Sequence, residues 1–146
     1  MADFKPFKRK ANYYETDKMA IVHHSNYIRF LEEARIDMLS QAGYPFERME
    51  AEGVWIPVLS VECSYKYPIR FGDEFEVRPK VTEFNGCKME LSYEIINITA
   101  GGKLSAVAKT RHCLTDVNMR PIRSQKTHPE IYKVFAQGLE EEKSRF

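Results

Sequence analysis

Hydrophobic positions follow two different periods along this chain, and the change comes near residue 53. From Ser25 to Ala42, Tyr27, Phe30, Leu31, Ala34, Met38 and Ala42 recur at steps of three and four, the spacing of one helix face. Ile28 and Leu39 widen that face, so this helix is expected to be gripped on more than one side. Ser25 or Asn26 is suited to cap its start, and Gly43 to supply a left-handed stop. From Val54 onward the period is two. Phe75, Val77 and Val81 share a face, then Cys87, Met89, Leu91, Tyr93 and Ile95 alternate, then Leu104, Ala106, Ala108 and Leu114. Phe71-Gly72-Asp73, Asn85-Gly86 and Gly101-Gly102 separate these runs, and Asn85-Gly86 is a strong hairpin signal. Pro79 inside a run predicts an edge position or a bulge.

Adding Val54–Tyr65 and an N-terminal strand near Pro6–Tyr14 makes about five strands. The expected order is strand, long helix, then four strands joined by hairpins. Hairpins imply an antiparallel sheet. One broad apolar helix and one such sheet make a two-layer α+β fold, the sheet curling round the helix. No repeat or long linker interrupts the pattern. The 146 residues predict one domain, with a core over about 6–118 and a C-terminal extension carrying a short helix at 127–140.

Composition narrows the functional classes. Aromatic residues make up 12% of the chain, too many for a disordered polymer. The mean hydropathy is −0.48, and no apolar run approaches the roughly 18–20 residues of a membrane span. The net charge of +1 argues against general nucleic-acid binding, which needs phosphate neutralisation. Cys63, Cys87 and Cys113 are odd in number and form no CxxC pair. Each falls in a strand-like run, so they are read as buried free thiols, and neither disulfides nor zinc is expected. With no apolar leader in the first residues, a cytoplasmic location follows as an expectation.

The segment from Tyr13 to Tyr27 is the densest in reactive side chains. It delivers Asp17, His23, His24, Tyr13 and Tyr14 to the helix N-terminus, where backbone N–H groups and the helix dipole favour a developing oxyanion. Each also has a structural reading. Asp17 is a natural turn former. Tyr13 and Tyr14 would be one inward and one outward residue of a strand. Adjacent imidazoles are expected to face different ways. The spacing gives no regular metal-ligand set.

The pattern Tyr13-x-x-Thr16-Asp17-x-Met19-x-x-Val22-x-His24-x-x-Tyr27-x-x-Phe30-x-Glu32-x-Ala34-Arg35 resembles the opening of the 4-hydroxybenzoyl-CoA thioesterase-like family, most closely its small Tol–Pal-associated members. It continues through Ser64-Tyr65-x-x-Pro68 and Phe71-Gly72-Asp73 and covers roughly residues 8–118. The resemblance implies a hotdog fold and hydrolysis of an acyl-CoA thioester to a carboxylic acid and CoA. CoA is then part of the substrate, and no separate cofactor is implied. It also implies a homodimer or homotetramer with active sites at subunit interfaces. Asp17 matches the family's catalytic carboxylate, as nucleophile or general base, and His24 and Tyr13 match its assisting residues. The backbone N–H groups around His24, Ser25 and Asn26 are the substrate-binding, oxyanion candidates. Glu32 and Arg35 are expected to form a structural ion pair. Lys66, Arg70, Lys109, Arg111 and Arg120 are candidates for a basic rim facing CoA phosphates. Ala20 departs from the family's usual glycine and is expected to distort the loop or narrow the site. Two rival functions share these residues: hydrolysis of acyl chains on acyl carrier protein, and acyl-CoA binding without turnover.

Overall fold

Tyr27, Phe30, Leu31, Ala34, Met38 and Leu39, the apolar stripe of the predicted helix, are all buried in α1 (Ser25–Gln41). The computed structural model describes residues 4–143. Before α1 lie strand β1 (Phe7–Lys10) and a 3-10 turn at Tyr13–Glu15. After it come α2 (Phe46–Glu52), β2 (Val58–Tyr65), β3 (Glu74–Phe84), β4 (Lys88–Asn97), β5 (Lys103–Cys113), α3 (Ser124–Thr127) and α4 (Pro129–Lys143). The α+β, hotdog-type arrangement is present: one antiparallel five-stranded sheet, ordered β1-β3-β4-β5-β2, packs on α1. No helix among the described residues is long and apolar enough to cross a membrane.

The sheet differs from the expected run of hairpins. β3–β4 and β4–β5 are neighbours, but β2 pairs with β5 on the far edge, and β1 pairs with β3. The turn at Phe71–Asp73 redirects the chain, and sheet-wide packing chooses the partner: Val61 sits beside Thr110 and Cys63 beside Ala108. Pro79 is accommodated because β1 covers β3 only up to Val77. The β3–β4 ladder also shifts register between Val81 and Glu83.

The N-terminal strand is shorter than predicted. Glu15 folds back to accept the Asn12 N–H at 2.8 Å, which winds Tyr13–Glu15 into the 3-10 turn. Tyr13 and Tyr14 are consequently both exposed, at 75% and 79%, and neither is a strand residue. Neither Ser25 nor Asn26 caps α1. His24 takes the cap position in helical geometry, without a side-chain cap bond. Gly43, at φ +78°, ends the helix as expected. Cys113 is buried, but Cys63 and Cys87 are only half-buried, and Cys87 lies in the β3–β4 turn. All three are free thiols, with the sulfurs of Cys87 and Cys113 3.2 Å apart. The C-terminal helix is longer than its propensity suggested, because Ile131 and Phe135 bury against the core and Phe84 stacks on Phe135.

The sheet face toward α1 carries Phe75, Val77, Leu91, Tyr93, Ile95, Ala106 and Ala108, all buried. A polar row crosses it. Arg35 of α1 donates to the Tyr93 hydroxyl at 3.2 Å, Tyr93 lies 2.6 Å from the Thr110 hydroxyl, and Thr110 lies 2.8 Å from His112 Nε2. Burial, reinforced by the Arg35 charge, lowers the His112 pKa from 6.5 to about 4, against the opposing pull of the Ile56 and Pro57 carbonyls. Between those values the unfolded chain binds more protons than the folded one. Stability must therefore fall as pH drops through that window. The loss is expected to reach roughly 3 kcal/mol when fully developed. Urea unfolding at pH 7 and at pH 4.5, at fixed protein concentration, measures it. His112→Gln should flatten the dependence; an unchanged slope would exclude His112 as its source.

Candidate active site at the N-terminus of α1

The loop between the 3-10 turn and α1 is built around Asp17. Thr16 and Val22 form an antiparallel bridge, and the Asp17 N–H donates to the Ile21 carbonyl at 2.9 Å. Inside this loop Ala20 N–H donates to the Asp17 carbonyl at 3.0 Å, and the Met19 N–H to Asp17 Oδ1 at 2.8 Å. The turn-former reading and the catalytic reading of Asp17 thus describe the same residue: one carboxylate oxygen shapes the turn and Asp17 stays half-exposed. Ala20 sits at φ +63°. It takes up the left-handed geometry that glycine would have, at a steric cost, and the loop closes regardless.

Glu15 fastens this loop to the rest of the chain. Its buried carboxylate pairs with Arg9 of β1 at 2.5 Å. Its carbonyl accepts the His23 N–H at 2.8 Å and the Asn26 side-chain amide at 2.9 Å. The far side is held by Ile69 and Arg70: the Val22 N–H donates to the Ile69 carbonyl at 2.7 Å, and Ile21 bridges to Arg70. Composition offered no sign of this role, since Glu15 reads as one acid among many.

The predicted side chains gather at this end of α1 with unequal freedom. The His24 ring is exposed and lies against His23, with ring centroids 4.1 Å apart. The two imidazoles therefore stack rather than diverge. His23 Nδ1 is engaged by Ser25, whose hydroxyl lies 2.8 Å away and whose N–H donates to it at 3.2 Å. The Asn26 N–H donates to the His23 carbonyl at 3.0 Å. Both the Ser25 and Asn26 N–H groups therefore have partners within the chain. The His24 N–H has none among the described residues. Tyr13 packs edge-on against Phe71, with centroids 5.6 Å apart.

Tyr65, at the end of β2, joins the group from below. Its hydroxyl donates to the His24 carbonyl at 3.4 Å, and its ring meets Tyr27 at 4.9 Å. Burial, helped by the neighbouring Cys63 and Tyr65, raises the Tyr27 pKa to about 12, so Tyr27 stays a neutral phenol. Glu32 and Arg35 form no ion pair. Arg35 turns inward to Tyr93 instead, because i, i+3 spacing is overridden by a buried acceptor. Of the five candidate basic residues, Arg70 lies beside the loop through its bridge to Ile21. Lys109 pairs with Glu90 at 3.6 Å.

This loop, helix start and sheet recur in known proteins. The sequence profile of the thioesterase-like superfamily matches residues 12–139. The chain belongs to that superfamily. Its reaction class is thioester hydrolysis. It is 32% identical over 127 residues to YneP, a candidate acyl-CoA thioesterase of Bacillus subtilis, covering 86% of this chain and 91% of that one. A DHNA-CoA thioesterase from Staphylococcus aureus superposes with a TM-score of 0.86 at 28% identity, covering 94% of this chain and 93% of its own. A Thermus thermophilus protein of unassigned function superposes at 0.83 with 34% identity, covering 91% and 98%.

Within this superfamily chain, Ala20→Gly is expected to raise stability by roughly 0.5–1 kcal/mol, the left-handed strain relieved less the added freedom of the unfolded chain. Denaturant unfolding reads the change. A loss of stability would show that the loop does not hold Ala20 at positive φ.

Proposed function

We propose that this chain hydrolyses acyl-CoA thioesters, with Asp17 acting on the thioester carbonyl as nucleophile or as general base for water. The observation that carries the reading is the half-exposed Asp17 carboxylate, held by its own loop at the N-terminal end of a 17-residue helix. The His24 N–H, together with the helix dipole, is the natural donor to the carbonyl oxygen as it gains charge. The exposed His24 imidazole and the Tyr13 hydroxyl are placed to orient water or the carbonyl. In either route the C–S bond breaks, CoA leaves as its thiol, and water supplies the acid's hydroxyl. Arg70, next to the loop, is the basic residue best placed for a CoA phosphate.

The working unit is read as a homodimer joined through β2. The two edges of the sheet differ. β1 is four residues long and carries three basic residues, the features of a protected edge. β2 is eight residues long, with a single charge at Glu62 and no proline. Its Val58, Leu59 and Tyr65 are exposed. A long, flat, weakly charged edge invites another strand, and a copy of itself satisfies it about a two-fold axis.

Asp17→Asn should lower kcat at least about 100-fold with the fold intact, read as free thiol released from a panel of short, long and aromatic acyl-CoA substrates. Full turnover in that variant would remove Asp17 from the chemistry. Tight acyl-CoA binding without turnover by the unaltered protein would instead favour a binding module, and strong competition by acyl carrier protein would redirect the substrate. The dimer reading has its own measurement. Val58→Lys with Leu59→Lys should halve the sedimenting mass while circular dichroism stays native. A retained dimer would rule out pairing through β2.

A further inference from the structure

Two of the three cysteines meet where β4 begins and β5 ends. Cys87 lies in the β3–β4 turn, and Cys113 closes β5 opposite Lys88 in the β4–β5 ladder. No CxxC spacing announces this pair, because the ladder joins residues far apart in the chain. Neighbouring strands lie about 4.8 Å apart and one position along a strand adds about 3.4 Å. That register sets the two Cα atoms at roughly 6 Å, inside the range a disulfide spans. Cys87 stands in the bend, outside the alternation of the strand, and its sulfur lies 3.2 Å from that of Cys113. Cys63 is no rival. It pairs with Ala108, and from there to Cys113 the strand rises roughly 17 Å.

The surroundings hold the pair in place. The Leu114 N–H donates to the Cys87 carbonyl at 2.8 Å. The Gly86 carbonyl accepts the Ser124 N–H at 3.0 Å and the Ser124 hydroxyl at 2.6 Å. Both thiols point to the Leu114 carbonyl, at 3.8 Å from Cys87 and 3.6 Å from Cys113. That carbonyl also accepts the Ile122 N–H at 3.0 Å, so it keeps a partner when both S–H groups are lost. The two sulfurs differ in access. Cys87 is half-buried, whereas Cys113 is buried, and burial with the Cys87 neighbour pushes the Cys113 thiol pKa up to about 11. An oxidant therefore reaches Cys87 first, with Cys113 as the thiol in reserve beside it. Among the described residues no third metal-ligating side chain joins them.

We infer that Cys87 and Cys113 form a reversible oxidation site, which reacts with a hydroperoxide and closes an intramolecular disulfide between the β3–β4 turn and the end of β5. The Cys87 thiolate attacks the terminal peroxide oxygen. The O–O bond breaks, and the remainder takes up a proton and leaves as an alcohol, or as water when the oxidant is hydrogen peroxide. Cys87 is then a sulfenic acid. The Cys113 sulfur attacks it, the S–S bond forms, the S–O bond breaks, and water leaves with the Cys113 proton. The two thiols give up two electrons and the peroxide takes them. The site shares no residue with the Asp17 loop, so the inference does not depend on the hydrolytic reading.

Thiol counting on the whole chain tests this. The protein is treated folded with a small excess of hydrogen peroxide, then unfolded and alkylated with iodoacetamide. One thiol per chain should react, against three before treatment. The unalkylated mass should fall by two hydrogens, and peptide mapping should join Cys87 to Cys113 and leave Cys63 alkylated. Dithiothreitol should restore all three thiols. Three reactive thiols after peroxide would overturn the proposal. So would a bridge to Cys63, or Cys87 driven to sulfinic acid with Cys113 still reduced. Two variants check the order of attack. In Cys113→Ser, dimedone should trap Cys87 as its sulfenic acid. In Cys87→Ser, Cys113 should oxidise at least about tenfold more slowly than in the unaltered protein. Oxidation of Cys113 at the unaltered rate without Cys87 would overturn the assignment of Cys87 as the attacking thiol.

Discussion

Glu15 ties three parts of the chain together: its carboxylate to Arg9 of β1, its backbone carbonyl to the His23 N–H, and the same carbonyl to the Asn26 side chain of α1. Arg9 in turn lies 4.8 Å over the Phe30 ring and pairs with Glu33 of α1 at 2.6 Å. A buried carboxylate is tolerated only when its charge and lone pairs are met, so these bonds form together. Their joint consequence is that the loop from Thr16 to Val22 has a fixed seat against the helix start. Asp17 inherits its position from that seat and makes few contacts of its own outside the loop.

The same economy governs the sheet. One face is closed by α1, with Phe30 on Phe75 at 4.7 Å and a buried polar row from Arg35 to His112. Tyr93 and Thr110 are joined to their neighbours along the row, while His112 Nδ1, at its far end, is buried without a hydrogen-bond partner among the described residues. The outer face is solvated by cross-strand pairs such as Lys80 with Glu94 and Lys109 with Glu90. β2, eight residues against four in β1, is the longer of the two edge strands. Its Tyr65 end meets the start of α1 at the His24 carbonyl.

Much of this was legible from the chain itself. The 3.6-residue period placed α1 almost to its last residue, since apolar burial on a helix must recur at that spacing. Asn85-Gly86 and Gly101-Gly102 marked true hairpins because their positive φ values suit glycine. The departures have local causes. Tyr13 and Tyr14 looked like strand residues by alternation, but the Glu15 side chain competes for the backbone and winds a 3-10 turn. Arg35 looked like a partner for Glu32, but the buried Tyr93 hydroxyl, distant in sequence, claims it. β2 looked like the next strand of a meander, but its partner is β5.

The sequence by itself determined the elements, the loop that carries Asp17 and the resemblance to a thioesterase, because period, turn chemistry and motif order are local properties. The tertiary structure alone decided that β2 is an edge, that Arg35 turns to the buried Tyr93 hydroxyl, and that Glu15 is the anchor of the loop. Each of those depends on residues brought together from separate strands and helices, and no spacing along the chain encodes such a meeting.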